Sequence, residues 1–387
     1  MAGKEASFAT IALLAIAASC IPPTEVEQAL RVAPATTPEA ALAPADRPLP
    51  DDDAPAVVLV VLDGARWQEV FLGADAQLSR KAGVAAVDAD ALMPHVHALL
   101  ADHGAALGAP DHGPAMVASG PNYVSLPGYT EIFTGRRAHA CADNDCAPTR
   151  IPTVMDEVVA RSGLAGDAAV IASWEKIERA ASAAPARLVL SAGRSRLSHG
   201  EALRQDDVAR EALDRGTHAD PFPGYGDFRP DRLTAAVALH YLETRRPRLL
   251  FLGLGEPDEY AHRGDYAGYL GSLRAADATL GELFATLDRM GARGRHTTVF
   301  VTADHGRGRD YRVHGRDFPE SARVWLVAGG GGVEARGLTQ ALRPHHLADI
   351  APTVRALLDL PADVAPASGQ PLDELLTDRA VATAMQP

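Results

Sequence analysis

The sequence predicts a three-layer α/β fold, in which helices cover both faces of a mostly parallel central sheet. Short apolar runs rich in Val and Leu alternate with helical patterns along the folded region, and this alternation is typical of α/β architecture. Runs that are apolar throughout, rather than at every second position, indicate strands buried on both faces. The predicted strands are Val57–Leu62, Ala168–Ala172, Arg187–Leu190, Leu249–Gly253, Thr298–Thr302 and Val324–Ala328.

Two helical patterns are clear enough to place on the chain. The longer one spans residues 264–290, where apolar side chains recur at three- or four-residue intervals and line one face. The second begins near Leu347 and keeps Ile350, Val354 and Leu357 at helical spacing. Both patterns predict helices that bury one face against the sheet.

Length, composition and charge define the expected domain and its partners. The chain has 387 residues, 47% of them hydrophobic, which is enough for one large core over residues 55–376. Residues 191–230 are more polar and contain prolines and several glycines, so we expect this segment to leave the sheet. The net charge of −13 argues against a nucleic-acid polymer as partner.

The beginning of the chain predicts export. The apolar stretch Phe8–Ala18 follows Lys4; it is too short to span a bilayer and is typical of a secretory signal peptide. Small residues directly before Cys20 are typical of a bacterial lipoprotein box, which would make Cys20 the lipidated residue; a plain signal peptide is the alternative. We therefore expect residues 1–20 to be a signal peptide. The protein would be periplasmic or a membrane-anchored lipoprotein of a bacterium, touching the membrane only through this lipid.

Two further features agree with an exported protein. Residues 21–54 are rich in Pro, Ala and acidic side chains without periodicity, which predicts a disordered linker. Cys141 and Cys146 lie close together in CADNDC, and an oxidising compartment favours a small disulfide loop there. Free thiols are the alternative, whereas a zinc site would lack further ligands.

Six Asp and His residues predict a metal site at one edge of the sheet. The three aspartates of this set each follow a predicted strand. In open α/β sheets the ligand crevice lies beyond the carboxyl ends of the strands. Three carboxylates that converge in a cleft repel one another unless cations hold them there. Carboxylate oxygens and neutral imidazoles are suitable ligands for divalent metals. The six residues are Asp63, Asp258, His262, Asp304, His305 and His314.

Ser125 is the candidate nucleophile. It precedes Pro127, and the stretch up to Thr134 predicts a short helix that ends at Gly135. Backbone N–H groups at a helix start point outward and bind anionic groups well. The alternative is that Ser125 acts only as the N-cap of this helix.

Taken in chain order, these motifs resemble those of the alkaline phosphatase superfamily, in particular its type I phosphodiesterase and nucleotide pyrophosphatase-like branch. The resemblance covers about residues 55–362 and implies an alkaline-phosphatase-like α/β/α fold with a single catalytic domain over residues 55–376. The matching elements are VLDG at Asp63, SLPGY at Ser125, PDEYAH at Asp258 and His262, TADHG at Asp304 and His305, and VHG at His314.

The resemblance implies a metal-dependent phosphoric ester hydrolase that acts on a small phosphate ester. Ser125 would attack phosphorus and form a covalent phosphoseryl intermediate. Two divalent metal ions are implied, with zinc favoured and manganese or another divalent ion as the alternative. By the resemblance, one ion is held by Asp63, Asp304 and His305 and binds Ser125, and the other is held by Asp258, His262 and His314.

Several assignments have alternatives. His345 and His346 compete with His314 as the last ligand, although the HG that follows TADHG matches the family better. Asn122 and Asn144 are candidate donors to a phosphoryl oxygen; turn formation is the alternative for both. A further candidate, Arg136, would clamp the phosphoryl group; a solvated surface position is its alternative.

Three alternatives to phosphoric ester hydrolysis are less consistent with the sequence. A sulfuric ester hydrolase of the same superfamily is disfavoured, because sulfatases continue their nucleophile with x-Pro-x-Arg and Ser125 is followed by Leu-Pro-Gly-Tyr. Cofactor-independent phosphoglycerate mutases carry a large inserted domain, for which the 133 positions between Ser125 and Asp258 leave little room. A non-catalytic metal-binding surface lipoprotein is the third alternative, and the complete set of site residues argues against it.

Overall fold

The computed structural model describes residues 51–378, except for residues 138, 195–202, 204, 364 and 366. The predicted signal peptide, Cys20 and most of the predicted linker lie outside the described residues. The strands are β1 (Ala56–Leu62), β2 (Gly104–Leu107), β3 (Met116–Val117), β4 (Ala168–Ala172), β5 (Val189–Ala192), β6 (Leu249–Leu254), β7 (Thr297–Thr302), β8 (Arg323–Val324), β9 (Leu326–Gly330), β10 (Gly337–Leu338) and β11 (His345–His346).

Helices connect most of these strands. They are α1 (Trp67–Leu72), α2 (Ala76–Ala82), α3 (Ala89–Leu92), α4 (Pro94–Asp102), α5 (Ser125–Thr134), α6 (Val154–Ser162), α7 (Glu178–Ala181), α8 (Asp207–His218), α9 (Asp231–Arg245), α10 (Glu256–His262), α11 (Tyr266–Arg289), α12 (Ala292–Arg295) and α13 (Ile350–Leu357). Among the described helices, none combines the length and the apolar character needed to cross a bilayer.

Eight of the strands form one sheet in the order β10-β2-β9-β7-β1-β6-β4-β5. All neighbours pair in parallel except at β9, which runs antiparallel to β7 and to β2. The predicted mostly parallel sheet is therefore confirmed. A second, small sheet joins β11, β3 and β8.

The sheet separates two apolar layers, as a three-layer fold requires. In β1, Val57, Leu59 and Val61 face one core, and the alternate side chains face the other. Helices α5, α6 and α13 pack on the first face, and α4, α9 and α11 on the second. Because side chains alternate along a strand, a central strand covered on both faces must be apolar at every position.

The predicted strand Val324–Ala328 is corrected to two strands. Trp325 lies between β8 and β9, where its indole N–H donates to the carbonyl oxygen of Ala65 at 2.9 Å. The chain changes sheets at this anchor, so β9 enters the main sheet antiparallel. Strand β2 was not predicted, because the short run Gly-Ala-Ala-Leu carries little strand preference.

The predicted helices agree with the structure. Pattern 264–290 forms α11, and the pattern that begins near Leu347 forms a 3₁₀ turn over Leu347–Asp349 followed by α13. The excursion at residues 191–230 contains α8, whose helical pattern was not separated from its polar surroundings. Strands β1, β6 and β7 are neighbours in the parallel part of the sheet, so their carboxyl ends, and the residues that follow them, meet at one edge.

Candidate metal centre

Two groups of three side chains meet at this edge of the sheet. The first group is Asp63, Asp304 and His305, and all three residues are buried. Asp63 follows β1, and Asp304 and His305 follow β7. The Nε2 atom of His305 lies 3.4 Å from Asp63 Oδ1 and 3.6 Å from Asp304 Oδ2. This spacing lets one cation contact all three side chains.

The second group is Asp258, His262 and His314. Asp258 and His262 lie one turn apart on α10, which places His262 Nε2 3.1 Å from Asp258 Oδ2. His314 comes from the loop after β7, and its Nε2 lies 2.9 Å from His262 Nε2. The two groups adjoin, because Asp258 Oδ1 lies 3.8 Å from His305 Nε2. His262 is 42% exposed, so the centre opens to solvent on the side of the second group.

Backbone carbonyls orient two of the imidazoles. His305 Nδ1 lies 2.9 Å from the carbonyl oxygen of Gly306, and His314 Nδ1 lies 2.8 Å from that of Tyr123. A carbonyl accepts only an N–H, so a neutral ring carries its proton on Nδ1. Each Nε2 then directs its lone pair into the centre, as a metal ligand requires.

The electrostatics of the first group favour a cation. Burial and the neighbouring Asp63 raise the pKa of Asp304 well above its usual range. Burial alone would lower the pKa of His305, but the carboxylates of Asp304, Asp258 and Asp63 outweigh it and raise that pKa to about 9. The Oδ2 atom of Asp304 is buried without a hydrogen-bond partner. An orphaned, buried carboxylate oxygen is the donor that a metal ion would satisfy.

A fixed positive charge, which the sequence did not reveal, lies against the second group. Arg307 is buried, and its Nη2 contacts Oδ1 of Asp258 and donates to the Asp258 carbonyl oxygen. Burial would raise the pKa of Asp258, but Arg307 and the nearby histidines hold it well below its usual range. Burial and the adjacent His305 lower the pKa of His314, so His314 is neutral, as a ligand must be.

Ser125 lies at the first group. It is the first residue of α5, and Val124 occupies the cap position without a side-chain hydrogen bond. The predicted alternative, that Ser125 is only an N-cap, therefore does not describe this helix. Its Oγ lies 3.4 Å from Asp63 Oδ1 and 3.3 Å from His305 Nε2. A cation held by the first group would also contact the serine.

Two residues of α5 bring this helix against the centre, and the sequence interpretation assigned neither of them a role there. A Cβ atom at Gly128 would lie 2.2 Å from the carbonyl oxygen of Asp304, so only glycine allows this approach. Tyr129 is buried, and its hydroxyl donates to Asp63 Oδ2 at 2.9 Å. The spacing held the signal: Tyr129 follows Ser125 by four positions, which places both on one helix face.

The three candidate substrate ligands occupy different places. Asn144 lies at the start of α5, where its Oδ1 accepts the N–H of Leu126 at 2.9 Å. Asn122 contacts the carbonyl oxygen of Ala142 and accepts from Arg316 Nε at 2.9 Å.

The structure does not bring Arg136 to the centre. Arg136 follows the opposite end of α5, about 15 Å along the helix axis from Ser125, and pairs with Asp363 at 2.8 Å. Helix α5 separates Arg136 from Ser125, so Arg136 is too far away to clamp a phosphoryl group bound at the serine.

The remaining predictions concern histidines and cysteines. His345 is buried between Asp349 and Glu374, and His346 lies beside Ser119. Of the three candidates, His314 is the one that the structure places next to Asp258 and His262. Cys141 and Cys146 form a disulfide with a Cα–Cα separation of 5.2 Å, which is within the normal range. The predicted small disulfide loop is therefore present.

Comparisons with known proteins match parts of the sequence. Residues 228–362 match the family described as the Metalloenzyme superfamily. A stretch of 139 residues is 31% identical to a 2,3-bisphosphoglycerate-independent phosphoglycerate mutase of Ruegeria sp., covering 35% of this chain and 26% of the relative. A mutase of the same description from Picosynechococcus sp. is 27% identical over 170 residues, covering 40% and 30%. The chain thus matches less than a third of the length of these curated relatives.

Solved structures extend the likeness to most of the chain. The alkaline phosphatase PafA superposes with a TM-score of 0.56 at 13% identity, covering 84% of this chain and 99% of PafA. A phosphonate monoester hydrolase of Agrobacterium radiobacter gives 0.53 at 16% identity, covering 83% and 77%. A 2-O GAG sulfatase gives 0.53 at 13% identity, covering 83% and 73%. At these identities the likeness concerns the fold, and the expected alkaline-phosphatase-like α/β fold is confirmed at that level.

Proposed function

We propose that this protein is a metal-dependent phosphoric ester hydrolase with Ser125 as its nucleophile. The observation that carries the proposal is the position of Ser125 Oγ within 3.4 Å of Asp63 Oδ1 and 3.3 Å of His305 Nε2. The serine thus lies at the start of a helix and against a buried group of candidate metal ligands. Two divalent cations, proposed to be zinc, would supply the positive charge that lowers the pKa of the serine hydroxyl and stabilises the developing charge on phosphorus-bound oxygens.

The residues of the chain have distinct tasks in this reaction. Ser125 forms a bond from Oγ to phosphorus, the ester oxygen leaves, and water later hydrolyses the phosphoserine. The N–H of Leu126, in the first turn of α5, donates to Asn144 Oδ1 and so fixes this side chain beside Ser125. The Nδ2 group of Asn144 would then donate to a phosphoryl oxygen. Tyr129 keeps the carboxylate of Asp63 oriented while Ser125 reacts.

Phosphate is favoured over sulfate by the residues that follow the serine. Leu126, Pro127, Gly128 and Tyr129 occupy the positions after Ser125, whereas the sulfatase pattern places an arginine there. Phosphatases and sulfatases are both among the structural neighbours, so the fold by itself does not separate the two ester classes. A mutase reaction is disfavoured by the short connection between Ser125 and Asp258.

The cellular setting is part of the proposal. The predicted signal peptide and lipoprotein box support an exported enzyme held at a bacterial membrane through Cys20. The Cys141–Cys146 disulfide supports the same compartment, since such bonds persist in oxidising surroundings. The partner expected there is a small phosphate ester.

The decisive experiment compares p-nitrophenol release from a phosphate monoester, a phosphate diester and a sulfate ester. Purified zinc-loaded protein should cleave a phosphate ester, and chelation should abolish the activity. In Ser125→Ala, turnover should be lost while metal content stays nearly unchanged, because the six ligands remain. Full activity in Ser125→Ala would overturn the covalent mechanism, and preference for the sulfate ester would overturn the substrate class.

A further inference from the structure

The disulfide loop Cys141–Cys146 lies against the start of the helix that carries the proposed nucleophile. Asn144 is in this loop, and its Oδ1 accepts the N–H of Leu126 at 2.9 Å. Leu126 is the second residue of α5, and N–H groups in the first turn of a helix have no partner within the helix. Asn144 therefore satisfies this group from outside, one residue away from Ser125.

Few other contacts hold the loop in this place. Asp145 pairs with Lys176 at 2.8 Å, but the Asp145 side chain is 86% exposed, and exposed ion pairs contribute little. Arg179 Nη1 donates to the carbonyl oxygen of Cys146 at 3.3 Å. The side chain of Asn122 donates to the carbonyl oxygen of Ala142. These polar contacts are single, and the two cysteine side chains also pack against the core.

The disulfide is the strongest constraint on the loop. It joins residues five positions apart, so it closes a ring of six residues with Asn144 inside. Such a short ring limits the conformations of its own backbone and has little hold on distant parts of the fold. Cys141 and Cys146 are both half-buried and lie between exposed residues, so a small reductant in solution reaches the sulfurs.

We propose that the Cys141–Cys146 disulfide is a positioning element that holds Asn144 against the N–H of Leu126, and that reducing it slows turnover. The inference rests on the proposed function, in which Asn144, held by the N–H of Leu126, donates to a phosphoryl oxygen. Neither cysteine touches the substrate; both act through Asn144. Misplacement of a positioning group by about 1 Å costs on the order of a hundredfold in rate.

The disulfide is reduced with a water-soluble trialkylphosphine, because dithiol reductants would bind the zinc. The phosphine attacks one sulfur and the S–S bond breaks, with the electron pair leaving on the other sulfur. Water then supplies the oxygen of the phosphine oxide and the protons of the two thiols. The phosphine is oxidised to its oxide, and the disulfide is reduced to two thiols.

The test is a double-mutant cycle on the full zinc-loaded chain. The reduced protein and the Cys141→Ser/Cys146→Ser variant should each lose about tenfold to hundredfold in kcat/KM. This is the order of magnitude expected when a positioning group is misplaced. Asn144→Ala should lose at least as much and should no longer respond to reduction. The triple variant should match Asn144→Ala. Asp145→Asn is the matched control: it weakens only the exposed contact with Lys176 and should keep kcat/KM within about twofold.

A second measurement is independent of catalysis. Hydrogen exchange at the Leu126 amide should speed up on reduction, because this N–H then loses its acceptor, while exchange in the middle of α5 should stay the same. Unchanged exchange at Leu126, or an Asn144→Ala variant that still loses activity on reduction, would overturn the inference. If oxidised wild-type protein cleaves no ester but exchange at Leu126 responds to reduction, the proposed function fails and the positioning role stands.

Discussion

The hydroxyl of Tyr129 donates a hydrogen bond to Oδ2 of Asp63 at 2.9 Å. This bond joins helix α5, which carries Ser125, to the carboxylate that follows the central strand β1. Asp63 Oδ1 is the oxygen near Ser125, so one oxygen of the carboxylate is fixed by tyrosine and the other faces the serine. The orientation of the first metal group therefore depends on α5 as well as on the sheet.

Tyr129→Phe should weaken metal binding at the first group. Partners that orient a metal ligand typically contribute tenfold to a hundredfold in metal affinity, and we expect a loss of that order. Competition with a chromophoric chelator measures it. Tyr241→Phe is the matched control, since Tyr241 is also buried and its hydroxyl donates to Gly166 at 3.0 Å, outside the centre. Equal affinities in Tyr129→Phe and wild type would contradict the orienting role.

Gly128→Ala should disrupt the contact between α5 and the loop after β7. The added methyl group would lie 2.2 Å from the carbonyl oxygen of Asp304, so helix or loop must move. We expect a loss of about 1–3 kcal/mol in the free energy of unfolding, together with reduced activity. Urea unfolding measures the first quantity and ester turnover the second.

Gly271→Ala provides the control for this substitution. Gly271 lies within helix α11, and a Cβ atom there meets nothing within 4 Å. Alanine in a helix interior is about 0.5–1 kcal/mol more favourable than glycine, so this variant should be slightly stabilised. A Gly128→Ala variant as stable and active as Gly271→Ala would show that α5 has room to move.

Metal uptake should release protons and weaken as the pH falls. In the metal-free protein, burial would lower the pKa of His305, but the surrounding carboxylates raise it to about 9, so His305 is protonated at pH 7. Its Nε2 must lose that proton before it can bind a cation. We expect at least one proton released per first-site cation near pH 7, measured by calorimetry in buffers of different ionisation enthalpy. Affinity that stays constant between pH 6 and 9 would contradict this assignment.

The same shift affects the stability of the metal-free fold. Because the pKa of His305 is higher in the folded than in the unfolded chain, its contribution is fully present below about pH 6.5. This contribution is lost as the pH rises through 9. Thermal unfolding of chelated protein should therefore show a decreasing contribution from His305 over this interval, whereas the metal-loaded protein should not.

Arg307→Met should destabilise the metal-free protein more than the metal-loaded protein. Arg307 is buried against Asp258, and removing one member of a buried ion pair costs about 3–5 kcal/mol. Cations would replace part of the lost charge, so the variant should gain more thermal stability from zinc than wild type does. Arg309→Met is the control, since the Arg309 side chain is 91% exposed and pairs with Glu320 at the surface. A loss below about 1 kcal/mol in Arg307→Met would contradict the role of this charge.

Most of the candidate metal centre could be predicted from the sequence, because its residues lie just after the ends of strands. Asp63 directly follows β1, Asp304 follows β7 after one residue, and Asp258 and His262 lie on one helix face after β6. A parallel sheet brings such positions to one edge whatever the loops do. The parallel sheet and its two covered faces followed from the same apolar runs. Helix α11 followed from the spacing of its apolar face.

Some residues were missed or misplaced because their contacts are set by the three-dimensional fold and not by local sequence. Arg136 stands near Ser125 in the sequence, yet the helix between them separates the two in space. Arg307 comes three positions after Asp304, and no local pattern shows that its side chain turns back towards Asp258. The antiparallel entry of β9 depends on the anchor at Trp325, which is a tertiary contact. Local patterns predict elements well but do not predict which side chains meet across them.

The central position of β1 determines when the centre is completed during folding. Its two partners, β6 and β7, lie about 190 and 240 positions further along the chain, so forming either pair closes a very long loop. Asp63 and Asp304 stay apart until β7 has been made and has joined β1. A nascent chain that ends before β7 lacks Asp304 and His305. If Asp63, Asp304 and His305 hold a cation, they can do so only after β7 has joined β1, so binding there would mark the completed sheet.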